Sequence, residues 1–208
     1  MTDWQSSLTG TVRALVSYAA PAFFLRGPRP VTLSRWDLLN EAAPVPGIGE
    51  LDNHDTVKRF LGISFPVFPF SRVFNLIRTH VLLDRPFEGD AAKDIEAVFD
   101  ALRKGRSYVS LDAFRDPRGF RFSVVSGGAE AHPGETIRPA EEARGAVDLP
   151  FPGVIRVIRN GRLLLEEAGR SLRFAVDGPG IYRVEAFLKK FRKRRPWIYS
   201  NPVYVESA

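Results

Sequence analysis

The stretch Val154-Ile155-Arg156-Val157-Ile158-Arg159-Asn160-Gly161-Arg162-Leu163-Leu164-Leu165 decides the fold class of the C-terminal half. Two strand-like runs flank Asn160-Gly161. Asn and Gly tolerate the positive φ that both central residues of a type I′ turn require, and that turn matches the twist of paired strands. The stretch therefore predicts an antiparallel hairpin. Working outward, Leu172-Phe174-Val176 alternates, Gly178-Pro179-Gly180 turns the chain into Ile181 to Phe187, and Trp197 to Val205 forms a last run. Upstream, Tyr108 to Asp112 and Phe120 to Val124 read as strands. Ser126 to Gly145, rich in Gly, Pro, Ala and Glu, reads as a long loop. Short strands at this spacing predict a small antiparallel β-sandwich over residues 113–208.

Residues 1–112 read differently. Leu8 to Leu25 predicts a helix ended by Arg26-Gly27-Pro28-Arg29-Pro30. Thr32 or Ser34 is expected to cap a second helix carrying Trp36, Leu38 and Leu39. Residues 43–49 read as a buried strand, and Asp55 or Thr56 as the cap of a short helix with Val57, Phe60 and Leu61. Pro66 to Pro69 is extended, and Thr79 to Leu83 is strand-like. Asp90 to Lys104 is the clearest helix: Ala91, Ile95, Val98, Phe99 and Leu102 form a stripe of period 3.6, Asp90 can cap it and Gly105 can stop it.

Composition bounds the chemistry. The chain has 208 residues, 44% of them apolar, with sixteen Phe and no Cys. That is enough for a sizeable core, and it excludes disulfides and thiolate metal sites. A reducing, cytoplasmic location fits. No secretory signal is evident at Met1 to Gln5, and Val12 to Leu25, interrupted by Arg13 and Pro21, is too short to span a bilayer. No membrane partner is expected. The formal charge is +6, and Lys189, Lys190, Arg192, Lys193, Arg194 and Arg195 account for all of it. With Phe191 and Trp197 nearby, that run reads either as a patch for anionic partners or as a solvated hairpin loop between two strands. The loop is the preferred reading, and nucleic acid is not an expected partner.

Catalytic equipment is sparse. The histidines are 54, 80 and 132, and no phosphate-binding loop or Gly-x-Ser-x-Gly is present. One pattern stands out: Gly47-Ile48-Gly49-Glu50-Leu51-Asp52-Asn53-His54-Asp55. On extended backbone, Asp52 and His54 point to the same side and can reach one metal ion. Oxygen and nitrogen ligands suit Zn, Mn or Fe, and such an ion would generate hydroxide from bound water near neutral pH. His80 is a candidate third ligand, and Glu50 or Asp55 a fourth. The alternative is a solvent-facing turn with an Asx-type hydrogen bond.

Several segments together resemble the C-terminal half of the polymerase and histidinol phosphatase (PHP) superfamily of metal-dependent phosphoesterases, in its CehA/McbA-type metallohydrolase branch. They are Leu25-Arg26-Gly27-Pro28 through Trp36-Asp37-Leu38-Leu39, Gly47-Ile48-Gly49 with Asp52-Asn53-His54, Phe68-Pro69-Phe70, Arg78 to Leu83, Ala101 to Val109, Gly180 to Ala186, and Trp197 to Val205. The resemblance implies an α+β fold. Residues 1–112 would be the last elements of a distorted (β/α)7 barrel, and 113–208 a β-sandwich. It also implies divalent metal cofactors with Asp52 and His54 as metal ligands. Arg78 and His80 would contact a phosphorylated or ester small-molecule substrate near the barrel mouth. Arg78 could equally pair with a carboxylate, and His80 could be a hydrogen-bonded core residue. The family's His-x-His motif near the N-terminus is absent, and Glu50-Leu51 stands where a small residue is usual. The chain thus looks like the back half of such an enzyme, with little hydrolase activity alone and a tendency to self-associate or to join a missing barrel half. The runner-up is a non-catalytic β-sandwich module that uses residues 189–195 to bind anionic partners.

Overall fold

The structure is a computed structural model describing residues 25–50, 56–60, 62–67, 70–139, 142–190 and 193–207. The predicted Leu8–Leu25 helix lies almost wholly outside these residues, as do Asp52 and His54.

Twelve described strands and three helices follow one another along the chain. Helix α1 (Pro30–Ala42) is followed by strands β1 (Thr56–Phe60) and β2 (Ile63–Val67), a short helix α2 (Phe70–Val73) and strand β3 (Arg78–Val81). Helix α3 (Ala91–Lys104) leads into β4 (Ser107–Ser110), β5 (Arg121–Ser126), β6 (Ala129–Ala131) and β7 (Thr136–Ile137). Five strands complete the chain: β8 (Ala143–Arg159), β9 (Arg162–Val176), β10 (Gly180–Lys190), β11 (Lys193–Ser200) and β12 (Val203–Val205). β1 and β2 form a separate antiparallel hairpin. The other ten strands form one open sheet in the order β3-β4-β11-β10-β8-β5-β6, with β9 on β8, β12 on β10 and β7 on β12.

The Asn160-Gly161 hairpin forms as expected. Arg159 pairs with Arg162, and both turn residues have positive φ, 48° and 72°. What the local pattern does not announce is its size. β8 runs for 17 residues and β9 for 15. Along one edge β8 pairs with β9 nearly throughout; along the other it pairs first with β5 and then with β10. The register breaks between Asp148 and Gly153, where Pro150 and Pro152 remove two backbone donors. There the sheet changes partners and wraps around one core. Phe122 and Val124 of β5, Val147, Ile155 and Val157 of β8, Tyr182 and Val184 of β10, and Trp197 and Ile198 of β11 all contribute to that cluster. Full burial of each large apolar side chain contributes about 1.5–3 kcal/mol.

The expected (β/α)7 barrel remnant is overturned. A β/α barrel needs parallel strands, and here every described pairing is antiparallel except β7 with β12. The β3–α3–β4 unit shows why sequence order misled. The chain leaves β3 at Val81 and enters β4 at Ser107, directly opposite Val81. In a parallel crossover the helix carries the chain back along the sheet before the next strand starts. Here α3 is an excursion at one end of an antiparallel pair. β4 then pairs with β11, so β3 and β4 extend the sheet that holds β10 and β8.

Other local expectations fared unevenly. α3 begins and ends as the residues dictate: the Asp90 carboxylate accepts from the Ala92 and Lys93 amides, and Gly105 adopts a left-handed φ of 72°. Its apolar stripe does not face the core. Ala101 is buried, whereas Ile95 and Phe99 are more than half exposed. α1 starts at Pro30 with no side-chain cap, rather than at Thr32 or Ser34. It buries Asp37 and Asn40 and exposes Leu38 and Leu39. Thr56 to Phe60, read as helix, is a strand, and 43–49, read as a strand, is irregular extended chain. The region read as one loop from 126 to 145 contains β6, β7 and the start of β8. None of the described helices is long and apolar enough to cross a membrane.

Candidate functional site

Arg78 and His80 occupy alternate positions of β3 and converge on Asp112, just past the end of β4. Arg78 Nη1 donates to Asp112 Oδ2 at 3.1 Å, and His80 Nε2 lies 3.2 Å from Asp112 Oδ1. The Ser110 hydroxyl donates to the same Oδ1. The Asp112 side chain is 9% exposed and that of His80 20%. His80 stands opposite Tyr108 in the β3–β4 register, and the two rings stack with centroids 4.7 Å apart and planes at 4°. Burial, then the nearby Asp112 and Asp116 carboxylates, push the Tyr108 hydroxyl up to about 12.

This cluster holds an imidazole against a carboxylate, which is half of an acid–base pair. Ser110 bonds the carboxylate and not the imidazole, so among the described residues no hydroxyl is hydrogen-bonded to His80 for activation. Arg78 is already committed. Besides Asp112 it donates Nε–H to the Phe74 carbonyl at 3.1 Å and Nη2–H to Asn75 Oδ1. A guanidinium engaged on three sides ties the turn after α2 to the end of β4. Asp112 carries no sequence signal of its own, since the two basic groups it binds come from a strand more than thirty residues upstream.

The glycines of the Gly47–Asp55 stretch have a packing role. The Asn201 side chain brackets Gly47: its Oδ1 accepts from the Gly47 amide at 2.7 Å and its Nδ2 donates to the Gly47 carbonyl at 3.0 Å. The same Nδ2 reaches Ser107 Oγ at 2.8 Å. Two residues on, the Gly49 amide donates to Thr79 Oγ1 at 3.0 Å. A Cβ at Gly49 would stand 2.2 Å from the Val109 side chain, so only glycine lets this segment lie flat on β4. Asp52 and His54 lie beyond the described part of this segment, and Glu50, within it, is exposed. Among the described residues no three His, Asp or Glu side chains gather into a metal-binding group.

The described part of the basic run ends β10 and opens β11. Lys189 stands opposite Arg194 and Lys190 opposite Lys193. Arg194 is bound by Glu166 of β9 through two hydrogen bonds of 2.9 and 2.7 Å, and Arg156 of β8 bonds the same carboxylate. The Arg194 and Arg156 hydrogen bonds pull Glu166 down to about 2. Both guanidinium groups also face the Phe187 ring, at 5.6 and 5.0 Å. Lys190 Nζ donates to the Phe114 carbonyl at 3.3 Å, and Arg195 lies 6.0 Å from the Phe114 ring centre. Lys189 and Lys193 are exposed, and no described carboxylate pairs with either.

Comparison with protein-family models, with curated proteins and with solved structures finds no match to this chain.

Proposed function

We propose that the protein is a binding module that takes an anionic partner on its β10–β11 hairpin. The observation that supports this reading is the charge left over at the hairpin tip. Six of the chain's cations lie between 189 and 195, and Glu166 offsets Arg194 and Arg156 together, leaving Lys189 and Lys193 without a described carboxylate. A concentrated excess of positive charge attracts anions over roughly a Debye length and biases where they dock. Metal-dependent hydrolysis, which the family resemblance implies, has less support, because the described strands pair almost wholly antiparallel rather than as a β/α barrel.

The test uses a short heparin oligosaccharide as a polyanion, titrated at rising ionic strength. Lys189→Ala/Lys193→Ala is compared with Arg118→Ala/Arg138→Ala, which removes the same charge from exposed sites elsewhere. Binding should weaken with salt and fall only in the hairpin variant. Equal losses in the two variants would mean non-specific attraction and end the proposal.

A further inference from the structure

Directly beside the hairpin, where the β8–β9 ribbon changes partners, a cleft of about 530 Å³ opens to solvent. Its floor is apolar: Phe114 and Leu188, both at least nine-tenths buried, with Val154 and Ala168. Gly153 and Gly169 stand opposite each other in the β8–β9 register, and both line the cleft. The rim carries Arg115, Lys189 and Lys190, and no described carboxylate lines the cleft. Two of these cations are held in place. The Arg115 guanidinium lies 3.5 Å from the centre of the Phe151 ring, and Lys190 Nζ is fixed on the Phe114 carbonyl.

We infer that this cleft binds a small amphipathic anion, with its hydrocarbon part on the Phe114–Leu188–Val154 floor and its carboxylate or sulfate head on Arg115, Lys189 and Lys190. The inference rests on the anion-binding reading above and deepens it, because the head would be held by Lys189 and Lys190, at the end of β10 in the same hairpin. Volume and composition both fit. Sites for small ligands enclose about 300–1,000 Å³, are mainly apolar, and carry a few convergent polar groups. A neutral apolar molecule would make no use of the positive charge at the rim, where Lys189 has no described carboxylate partner. A small inorganic anion would leave the floor wet. Only a ligand with both parts uses both surfaces.

Calorimetry with dodecanoate below its micellar concentration tests this, with acetate (the head alone) and dodecyltrimethylammonium (the tail with the opposite charge) as comparators. Dodecanoate should bind at one site per chain, and the comparators should not bind measurably. Ala168→Trp, at an exposed position of the lining, should block the floor and weaken dodecanoate at least about tenfold while leaving the polyanion titration unchanged. Lys189→Ala should weaken both. In the unaltered protein, the amide resonances of Gly153 and Gly169 should shift on adding dodecanoate, whatever becomes of the Trp variant. Equal binding of dodecyltrimethylammonium, unchanged dodecanoate affinity in Ala168→Trp, or unmoved glycine amides would overturn the inference. Polyanion binding without dodecanoate binding would sink the cleft and spare the hairpin; loss of both would remove the two together.

Discussion

Replacing Arg183 should damage this protein more than replacing either of its partners. Arg183, on the face of β10 that α1 covers, is 3% exposed and lies between two carboxylates, Asp37 at 8% and Glu185 at 5%. It holds Asp37 through two parallel hydrogen bonds of 2.6 and 2.8 Å and Glu185 through one of 2.7 Å, beneath the Trp36 ring. The trio carries one positive and two negative charges. Arg183→Met leaves two buried carboxylates with no cation between them, the situation in which removing one partner costs about 3–5 kcal/mol. Asp37→Asn keeps the Arg183–Glu185 pair balanced and only weakens two charge-assisted bonds, for a loss of about 1–3 kcal/mol. For a chain of this length the Met variant should melt roughly 6–20 °C lower. Urea unfolding, followed by tryptophan fluorescence and far-ultraviolet circular dichroism, gives both numbers by linear extrapolation. Replacing all three groups by apolar residues (Asp37→Leu, Arg183→Met, Glu185→Leu) should restore much of the loss. If Arg183→Met cost less than Asp37→Asn with unchanged urea dependence, the charge argument would be refuted.

Three further outcomes are expected. Asn201→Ala removes the side chain that bonds Gly47 on both sides, at a site 2% exposed, and should cost about 2–3 kcal/mol; hydrogen exchange at the Gly47 and Gly49 amides should quicken, and unchanged exchange would show that other contacts hold the segment. Gly145→Ala places a Cβ 2.0 Å from the Phe174 ring and should cost about 1–3 kcal/mol, seen as a lowered melting temperature. Glu166 sits at about 2 in the folded protein against an ordinary 4.5, so its contribution is complete above 4.5 and fades as pH falls towards 2. Wild type should therefore lose stability over that window relative to Glu166→Gln, and a wild-type-minus-variant difference equal at both ends would contradict the pairing.

Local chemistry was legible in the sequence, and partnership was not. Asn160-Gly161 announced its turn because the requirement for positive φ is met by those two residues alone. Asp90 and Gly105 marked the ends of α3 for the same kind of reason: each acts within one turn of itself. The stripe of α3 misled because 3.6-residue periodicity says that one face is apolar, not that anything covers it. α1 shows the converse. Asp37 and Asn40 are inward-facing because Arg183, Val45 and Tyr204 wait for them, and those partners are invisible from the helix itself. The barrel expectation failed at the same step. Strand, helix and strand in sequence suit a parallel crossover and an end-on excursion alike, and only the pairing of Val81 with Ser107 distinguishes them. At the candidate site, Arg78 and His80, named as substrate contacts through the family resemblance, do meet, but on a carboxylate that nothing in their own neighbourhood foretold. The cationic run was plain in the sequence; the cleft beside it depends on Arg115 and on two glycines brought together by the ribbon.

The place of β4 in the sheet has a consequence for how the chain reaches its fold. One edge of β4 is satisfied early, by β3, from which only α3 separates it. The other edge waits for Ile198, Tyr199 and Ser200, the last residues of β11, which are made when nearly all of the sheet-forming sequence already exists. Until then the strand presents unpaired amides and carbonyls, and Tyr108 stays half clothed. Contacts between residues so far apart are closed late and slowly, in a regime of milliseconds to seconds for sheets of this kind. The hairpin turn at Asn160-Gly161 can form first and hold the β8–β9 ribbon as a template, while closure against β4 sets the pace. Changes at Asn201, just after the closing strand, should then alter unfolding more than folding, because the bonds that Asn201 makes belong to the final step.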